Sequence, residues 1–225
     1  MIKTENREFT AKSTTRVFLV DDHPIVRMGL AQLINQEAGF TVCGEAENIE
    51  KAVIGIAEQI PDIIIIDLSL GEGNGLELIK SLRDTKPEVK MLVLSIHDEE
   101  VYAERALRAG AGGYIMKHEA AETVIAAIRK VMRDDIYLSE RMSGRLLSKI
   151  FHGKLTSCAL SLDHLSAREL EVFQLIGDGW STKQIAERLG LSIKTIETYR
   201  EKIKIKLTLK DSSELLRQAI RWRQY

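Results

Sequence analysis

The apolar runs in the first half of the chain end on side chains that can bind a metal ion or a phosphate group. The residues that follow these runs are Asp21, Asp22, Asp67, Ser95 and Lys117. The carboxyl ends of the strands in an open parallel sheet point at one crevice, where such folds bind ligands. We therefore predict that three carboxylates, a hydroxyl and an ammonium group meet in one small pocket.

These residue types together predict phosphoryl-transfer chemistry. Three neighbouring carboxylates repel one another and stay ionised only if a cation neutralises them. Hard oxygen ligands of this kind suit Mg²⁺, which accepts one or two carboxylates, several waters and a phosphate oxygen. Asp67 is then the nucleophile that accepts a phosphoryl group, while Mg²⁺ and Lys117 stabilise the charge on the transferring oxygens and Ser95 donates a hydrogen bond.

Two competing interpretations have less support. A single Asp, Ser or Lys at a strand end is usually a turn or cap residue, so the prediction depends on the joint arrangement. A hydrolase that uses Asp67 as its nucleophile needs a second acid two residues later to protonate the leaving group, and Ser69 occupies that place. The sequence also lacks a Gly-rich Walker loop, a GxSxG elbow and an HExxH motif, which argues against the corresponding enzyme classes.

The elements that must position the pocket alternate between strands and helices. This pattern predicts an α/β, doubly wound, five-stranded parallel sheet over residues 16–133. The predicted strands are 16–20, 41–46, 62–67, 89–95 and 112–116. The predicted helices of this part are 24–37, 48–58, 74–83, 99–108 and 121–131.

The remainder of the chain predicts a small all-α domain of four helices at 162–225, after a linker at 134–161 with a candidate short helix at 140–150.

The first 15 residues are polar and predict a flexible tail and not a signal peptide. The apolar runs are all shorter than the roughly 20 residues of a membrane span. The two cysteines lie far apart and fit neither a metal site nor a disulfide framework, so we expect a cytoplasmic protein.

Capping residues define the helices of this rear domain. Capping boxes formed by Ser166 with Glu169 and by Ser181 with Gln184 begin the first two helices, and Ser192 caps the third. The second and third helices have the spacing of a helix-turn-helix, whose second helix enters the major groove of DNA.

The third helix, about 193–207, has one apolar face and one basic face. Ile196, Ile203 and Leu207 share the face that packs inward, with Tyr199 beside them. The outward or flanking polar residues are Lys194, Thr198, Arg200, Glu201, Lys202, Lys204 and Lys206. The lysine and arginine side chains among them could bind DNA phosphates, which gives affinity without sequence specificity. Charge alone favours a solvated face on a helical bundle over a DNA-binding face, because residues 162–225 are only mildly basic, with 12 Lys and Arg against 9 Asp and Glu.

Several motifs occur together in the front half. They are Asp21-Asp22-His23-Pro24, Ile65-Ile66-Asp67-Leu68, Gly73-Asn74-Gly75-Leu76, Leu92-Val93-Leu94-Ser95, and Ala109-Gly110-Ala111-Gly112-Gly113-Tyr114 through Lys117. In this combination the sequence resembles the CheY-like receiver domain of response regulators. The resemblance implies that Asp67 is the phospho-acceptor. It also implies a Mg²⁺ site formed by Asp21, Asp22, Asp67 and the Ser69 backbone carbonyl, in which Asp22 and the carbonyl bind the ion directly and Asp21 binds it through water.

By the same resemblance, Ser95 and Lys117 hold the phosphoryl oxygens and Tyr114 is an aromatic switch. Ser95 moves toward the new phosphate and vacates space that the Tyr114 ring fills, which repacks the face near helix 99–108. Ser69 and His97, each two residues beyond a pocket residue, are hypothesised to tune how fast water attacks the phosphoaspartate.

The rear half also carries motifs with family spacing. They are Leu165-Ser166-Ala167-Arg168-Glu169-Leu170-Glu171-Val172, Gly179-Trp180-Ser181-Thr182-Lys183-Gln184-Ile185-Ala186, and Leu191-Ser192-Ile193-Lys194-Thr195-Ile196-Glu197-Thr198-Tyr199-Arg200. They resemble the LuxR-type DNA-binding domain. The expected DNA contacts are Lys183, Lys194, Thr195, Thr198, Arg200, Glu201, Lys202 and Lys206. The fourth helix forms the dimer contact in that family, so Leu216 and Ile220 are candidates, although each would also suit the core.

Together the two resemblances imply a two-component response regulator of the NarL/FixJ type. A histidine kinase transfers a phosphoryl group to Asp67, and the altered receiver regulates transcription as a homodimer bound to promoter DNA. The expected catalysis is limited to self-phosphotransfer and autodephosphorylation, and no membrane is involved. The unphosphorylated receiver is expected to cover the recognition helix until the linker permits release.

Two alternatives stay open at this point. The first is a constitutive DNA-binding regulator whose receiver is a phosphate-independent dimerisation module, against which the intact acid cluster and Lys117 argue. The second is a receiver that signals mainly by protein contact, with the rear domain binding a partner other than DNA.

Overall fold

The computed structural model describes residues 14–71, 73–151 and 162–223. The predicted tail at 1–15 lies outside these ranges up to residue 13, and so does the part of the predicted linker from 152 to 161. None of the helices in the described ranges is long and apolar enough to cross a membrane.

The front of the chain forms one parallel sheet. The strands in chain order are β1 Thr15–Val20, β2 Phe40–Ala46, β3 Ile63–Ile66, β4 Ser69–Leu70, β5 Gly73–Asn74, β6 Lys90–Ser95 and β7 Gly113–Met116. Five of them join in the order β2-β1-β3-β6-β7, and every neighbouring pair is parallel. This is the strand order of a doubly wound, flavodoxin-like sheet. The predicted fold class is confirmed.

Helices cover both faces of this sheet. The helices are α1 Pro24–Gln36, α2 Ile49–Gln59, α3 Gly75–Thr85, α4 Glu99–Ala109, α5 Ala120–Val131, α6 Glu140–Phe151, α7 Ala167–Gly177, α8 Thr182–Leu189, α9 Ile193–Lys206 and α10 Ser212–Arg223. In β1, Phe18 and Val20 face a core shared with α2, α3 and α4, whereas Val17 and Leu19 face a core shared with α1 and α5. Because successive side chains point to opposite faces, an apolar strand is buried on both sides.

The loops that carry the pocket contain two features that the sequence did not predict. β4 and β5 form a short antiparallel ladder in the loop after Asp67, and a 3₁₀ turn spans Lys117–Glu119. Each element has only two or three residues, which is too short for a hydrophobic period to show.

Gly75 allows α3 to begin directly against the loop of Asp67. A Cβ atom at this position would lie 2.3 Å from the backbone oxygen of Asp67 and 2.7 Å from the Cα atom of Leu68. Backbone atoms cannot rotate away as a flexible side chain can, so any residue larger than glycine would push the helix and the loop apart. The close approach therefore helps to fix the position of Asp67.

The rear domain consists of α7 to α10, as predicted. Ser166 with Glu169 and Ser181 with Gln184 form the two predicted capping boxes, and the Ser192 side chain caps α9. Each cap satisfies backbone donors that have no partner within the helix.

The linker helix α6 lies against α4 through polar contacts. The N–H and hydroxyl of Ser139 donate to the Glu99 carboxylate at 3.0 and 2.5 Å. Arg141 and Arg145 form ion pairs with Glu100. The helix predicted at 140–150 is confirmed, and its basic face is held by the acidic first turn of α4.

The contact at Gly75 predicts a loss of stability on substitution. Gly75→Ala should lower the free energy of unfolding by about 2–3 kcal/mol, because overpacking against backbone exceeds the gain in helix propensity. Urea unfolding followed by circular dichroism would measure the change. Gly144→Ala on α6 is the matched control, since its Cβ meets no atom within 4 Å, and it should gain about 0.5–1 kcal/mol. Equal stability of both variants would contradict the role of Gly75.

Candidate functional site

Two neighbouring strands bring the carboxylates of the pocket together. Asp21 and Asp22 follow β1, Asp67 follows β3, and the two strands pair directly. The Asp67 N–H donates to the backbone oxygen of Val20 at 2.8 Å, which holds the two strand ends side by side. Asp21 and Asp67 are buried, with 3% and 1% of their surface exposed. The predicted meeting of the three carboxylates is confirmed.

Lys117 is the cation of the pocket. Its Nζ lies 2.7 Å from Asp21 Oδ2 and 2.8 Å from Asp67 Oδ2. Burial disfavours the ammonium ion, but the negative charges of Asp67 and Asp21 outweigh this effect and raise the pKa of Lys117. Burial also raises the pKa of Asp67 to about 6, against the opposing effect of Lys117. At pH 7 the Asp67 carboxylate is therefore mostly ionised, as a nucleophile must be.

The donor set of the pocket fits a divalent cation. Among the described residues, one group has ligand atoms that all lie within 4.8 Å of one another: Asp21, Asp22, His23 and Asp67. Asp21 Oδ2 and Asp22 Oδ1 are buried atoms, with Lys117 Nζ at 2.7 Å from the first and His23 Nδ1 at 2.6 Å from the second. Three carboxylates thus face one ammonium group, and a hard cation such as Mg²⁺ would balance the excess negative charge.

The loop after Asp67 is tied to the same carboxylates by backbone groups. The Ser69 N–H donates to Asp67 Oδ1 at 3.2 Å, and the Gly71 N–H donates to Asp22 Oδ2 at 3.1 Å. This arrangement keeps the Ser69 backbone beside the acids, where the resemblance places a metal-binding carbonyl.

His23 and Arg27, to which the sequence analysis assigned no role, also contact the acids. The His23 N–H donates to Asp21 Oδ1 at 2.8 Å, and its ring lies against Asp22. Arg27 Nη1 donates to the backbone oxygen of Asp21 at 2.5 Å, and its Nε lies 3.3 Å from the Glu45 carboxylate. Their nearness to Asp21 in the sequence was the available signal, because the first turn of α1 reaches back over the preceding loop.

Ser95 and Tyr114 are both buried beside the pocket. The Ser95 Oγ accepts a hydrogen bond from the His97 N–H at 3.3 Å. The Tyr114 ring is already 1% exposed, and its hydroxyl donates to the backbone oxygen of His97 at 2.7 Å. The Tyr114 ring thus already lies in the interior in this structure, and its role as a switch stays a prediction.

The rear domain contains the predicted helix-turn-helix, formed by α8 and α9. Gly190 ends α8 in the left-handed region with φ of 65°. Ile196 and Ile203 on α9 are fully buried and Leu207 is 8% exposed, while Tyr199 is half-buried. The predicted inward face of α9 is confirmed.

Most of the expected DNA contacts lie at the surface. The exposed ones are Lys183, Lys194, Thr198, Glu201, Lys202 and Lys206, and the half-buried ones are Thr195 and Arg200. Several of them also make side-chain contacts within the domain: the Thr198 hydroxyl donates to the backbone oxygen of Lys194 at 3.0 Å, and the Glu201 carboxylate lies 2.9 Å from Lys204 Nζ. Thr195 shares the cap of α9 with Ser192, at 2.8 Å between the hydroxyl oxygens, and Lys206 Nζ lies 2.7 Å from the buried Glu169 carboxylate.

Family comparisons agree with both halves of this geometry. Residues 17–129 match the response regulator receiver domain, and residues 163–219 match the bacterial regulatory proteins of the luxR family. The chain is a LuxR-type response regulator. The alternative of a hydrolase is thereby set aside, since the family joins a receiver to a DNA-binding domain and is not a conventional enzyme.

Relatives of this response regulator match along nearly the whole chain. The oxygen regulatory protein NreC of Staphylococcus aureus strain JH9 is 34% identical over 210 residues, which cover 92% of this chain and 97% of NreC. RcsB of Salmonella enterica serovar Typhimurium, solved bound to a promoter in the presence of phosphomimetic BeF₃⁻, has a TM-score of 0.56. It is 27% identical, with 91% of this chain and 97% of RcsB covered. A LuxR-family regulator from Aurantimonas sp. SI85-9A1 has a TM-score of 0.57 at 31% identity over 62% of this chain and 99% of its own.

Two further expectations about the regulator can be compared with the structure. Leu216 and Ile220 on α10 are 42% and 40% exposed, whereas Leu215 and Ala219 are fully buried, so the candidate dimer residues do not belong to the core. The recognition helix α9 keeps its outer residues exposed. In this structure the receiver contacts the beginning of α7, and the expected covering of α9 before phosphorylation stays a prediction.

The raised pKa of Asp67 predicts a pH-dependent stability. The folded protein holds a proton that the unfolded chain, with its usual pKa of 3.8, releases. The free energy of unfolding should therefore fall as pH rises from about 4 to about 6 in metal-free buffer. Asp67→Asn removes this titration and should be more stable than wild type by about 1–3 kcal/mol at pH 8, but not near pH 4.

Urea unfolding in the presence of a chelator would measure both proteins across this pH range. Asp84→Asn, at an exposed position on α3, is the matched control and should follow the wild-type profile. Identical pH profiles for Asp67→Asn and wild type would show that burial of Asp67 carries no such cost.

Proposed function

We propose that this response regulator accepts a phosphoryl group on Asp67 from a histidine kinase and, in response, regulates transcription through α9. The observation that carries the proposal is the buried Asp67 carboxylate, which lies beside the Lys117 ammonium and two further acids. A purely structural ion pair would need one acid for one lysine, and the two additional acids indicate a site for a cation and a transferred anion.

The proposed reaction is an in-line displacement. A carboxylate oxygen of Asp67 attacks phosphorus, the bond from phosphorus to the donor breaks, and the donor nitrogen or oxygen keeps the electron pair. Lys117 and the Ser95 hydroxyl bind the transferring oxygens. Asp21, Asp22 and the Ser69 carbonyl would hold Mg²⁺, which neutralises the charge that develops on those oxygens.

The surface beside the pocket offers a place for the kinase. Ile25 and Met28 on α1 are 84% and 69% exposed, and both lie within one or two turns of Asp22. Apolar side chains next to an open acidic pocket suit a helical partner that presents a phosphohistidine. The proposed setting is the cytoplasm, where kinase and chromosome are both accessible.

The proposed DNA contacts divide into two kinds. Lys194, Thr198, Glu201 and Lys202 lie on the exposed face of α9, which enters the major groove and reads bases. Lys183 and Arg200 flank this face and suit phosphate contacts. Leu216 and Ile220 give α10 a free apolar strip through which two copies would pair on a two-fold symmetric operator.

Phosphorylation can be tested without knowledge of the kinase or the operator. Intact mass after incubation with acetyl phosphate and Mg²⁺ should show one added phosphoryl group in wild type and none in Asp67→Asn, because that variant lacks the nucleophile. Asp84→Asn should be modified like wild type. Failure of folded wild-type protein to gain mass would favour the phosphate-independent DNA-binding alternative.

DNA contact by α9 predicts a change in salt dependence. A duplex selected from a random-sequence pool should lose affinity steeply as salt rises, and Arg200→Gln, which removes a proposed phosphate contact, should reduce the slope of log affinity against log salt by about 1. Fluorescence anisotropy at several salt concentrations would measure the slopes. Lys80→Gln on α3 is the charge-matched control and should keep the wild-type slope. Binding that is insensitive to salt would instead favour a protein partner for the rear domain.

A further inference from the structure

The loop after Asp67 makes a buried contact that the pocket chemistry does not use. The Ser69 Oγ lies 2.7 Å from His97 Nε2, and both side chains are buried, with 9% and 5% exposed. Ser69 also donates its backbone N–H to Asp67 Oδ1. His97 is thus connected to the phospho-acceptor through one residue of the metal-binding loop.

The ring of His97 continues this series of contacts to helix α4. It stacks on the ring of Tyr102, with 4.7 Å between centroids and 28° between planes. Tyr102 is 1% exposed, and its hydroxyl donates to the backbone oxygen of Ala167 at 2.8 Å. Ala167 is the first residue of α7, so the contact joins the receiver to the DNA-binding domain.

Arg105, one turn after Tyr102 on α4, donates further hydrogen bonds to the same segment. Its Nη2 donates to the backbone oxygens of Leu162 and Leu165 at 3.0 and 2.5 Å. The Arg105 guanidinium also lies 5.8 Å from the centre of the Tyr102 ring. The beginning of the rear domain is therefore held by three hydrogen bonds from two neighbouring residues of α4.

We propose that His97 is a positioning residue. It couples the loop after Asp67 to the hydrogen bonds that Tyr102 and Arg105 of α4 donate to the DNA-binding domain. The proposal rests on the proposed function, since it assigns to phosphorylation a route to the output domain. It differs from the expected route through Ser95 and Tyr114. The two routes meet at His97, because the Tyr114 hydroxyl donates to the His97 backbone oxygen at 2.7 Å.

The direction of the coupling follows from the contacts. A phosphoryl group on Asp67 would shift Ser69, because the Ser69 N–H donates to the Asp67 carboxylate. The 2.7 Å contact to His97 is too short and too buried to absorb this shift, since close-packed interiors transmit displacement. The Tyr102 ring moves with His97, and its hydrogen bond to α7 weakens. Coupling between two sites is reciprocal, so loss of the hydrogen bond from Tyr102 to α7 must in turn favour the occupied pocket.

The first experiment tests the connection without metal or phosphate. Amide hydrogen exchange of the full chain should show faster exchange in the first turn of α7 when Ser69→Ala removes the hydroxyl that contacts His97. The substitution leaves the Ser69 backbone in place, and the affected turn lies in the other domain. Ser81→Ala, at an exposed position on α3, is the matched control and should leave α7 unchanged. Unchanged protection in both Ser69→Ala and His97→Asn would overturn the proposal whatever the pocket binds.

The second experiment uses the reciprocity of the coupling. Tyr102→Phe removes only the hydroxyl that binds Ala167 and keeps the ring on His97. Calorimetric titration with beryllofluoride in the presence of Mg²⁺ should show about fivefold tighter binding in Tyr102→Phe than in wild type, within the range of known couplings. In a His97→Asn background the same substitution should have no effect.

Each outcome of these titrations has a separate meaning. Equal affinity of wild type and Tyr102→Phe would overturn the coupling and leave the phospho-acceptor assignment intact. Absence of any beryllofluoride binding by folded wild type would instead contradict the proposed function. The exchange experiment would then still decide whether His97 joins the loop to α7.

Discussion

The ion pairs of Lys117 with Asp21 and Asp67 are the interaction on which the rest of the sheet edge depends. Burial of the Asp21 and Asp67 carboxylates without a cation would cost far more free energy than the packing around them returns. A single lysine reduces this cost without abolishing it, as the raised pKa of Asp67 shows. The backbone donors of Ser69 and Gly71 reduce it further. The pocket is thus held together in a state that favours the arrival of positive charge.

The positions of the pocket residues could be predicted because the length of the apolar runs and the parallel topology of the sheet determine them. Apolar runs of strand length identified the strands, and the parallel topology then required Asp21, Asp67 and Lys117 to share one edge. The rear helices could be predicted equally well from the sequence, since capping boxes such as Ser166 with Glu169 mark the beginning of a helix within four residues. In each of these cases the deciding contacts are either local or imposed by the sheet.

Other features could not be predicted, because their contacts join distant residues that follow no period. Ser69 and His97 are 28 residues apart, and Tyr102 and Ala167 are 65 apart. The resemblance to receivers identified Tyr114 as a switch residue but could not give its position, which depends on whether the interior has room for the ring. The exposure of α9 could not be predicted either, because it depends on which part of the rear domain α4 contacts.

The ion pair between Lys206 and Glu169 links the two ends of the output machinery. Glu169 belongs to the first turn of α7, next to the residue that Tyr102 binds, whereas Lys206 is the last residue of α9. The proposed control point on α7 and the proposed base-reading face of α9 are therefore linked by an ion pair but use different residues. Under these proposals, substitutions on the outer face of α9 would change which operator is read without altering the contacts between the domains. A lineage of such regulators can acquire new target genes while it inherits the same means of control.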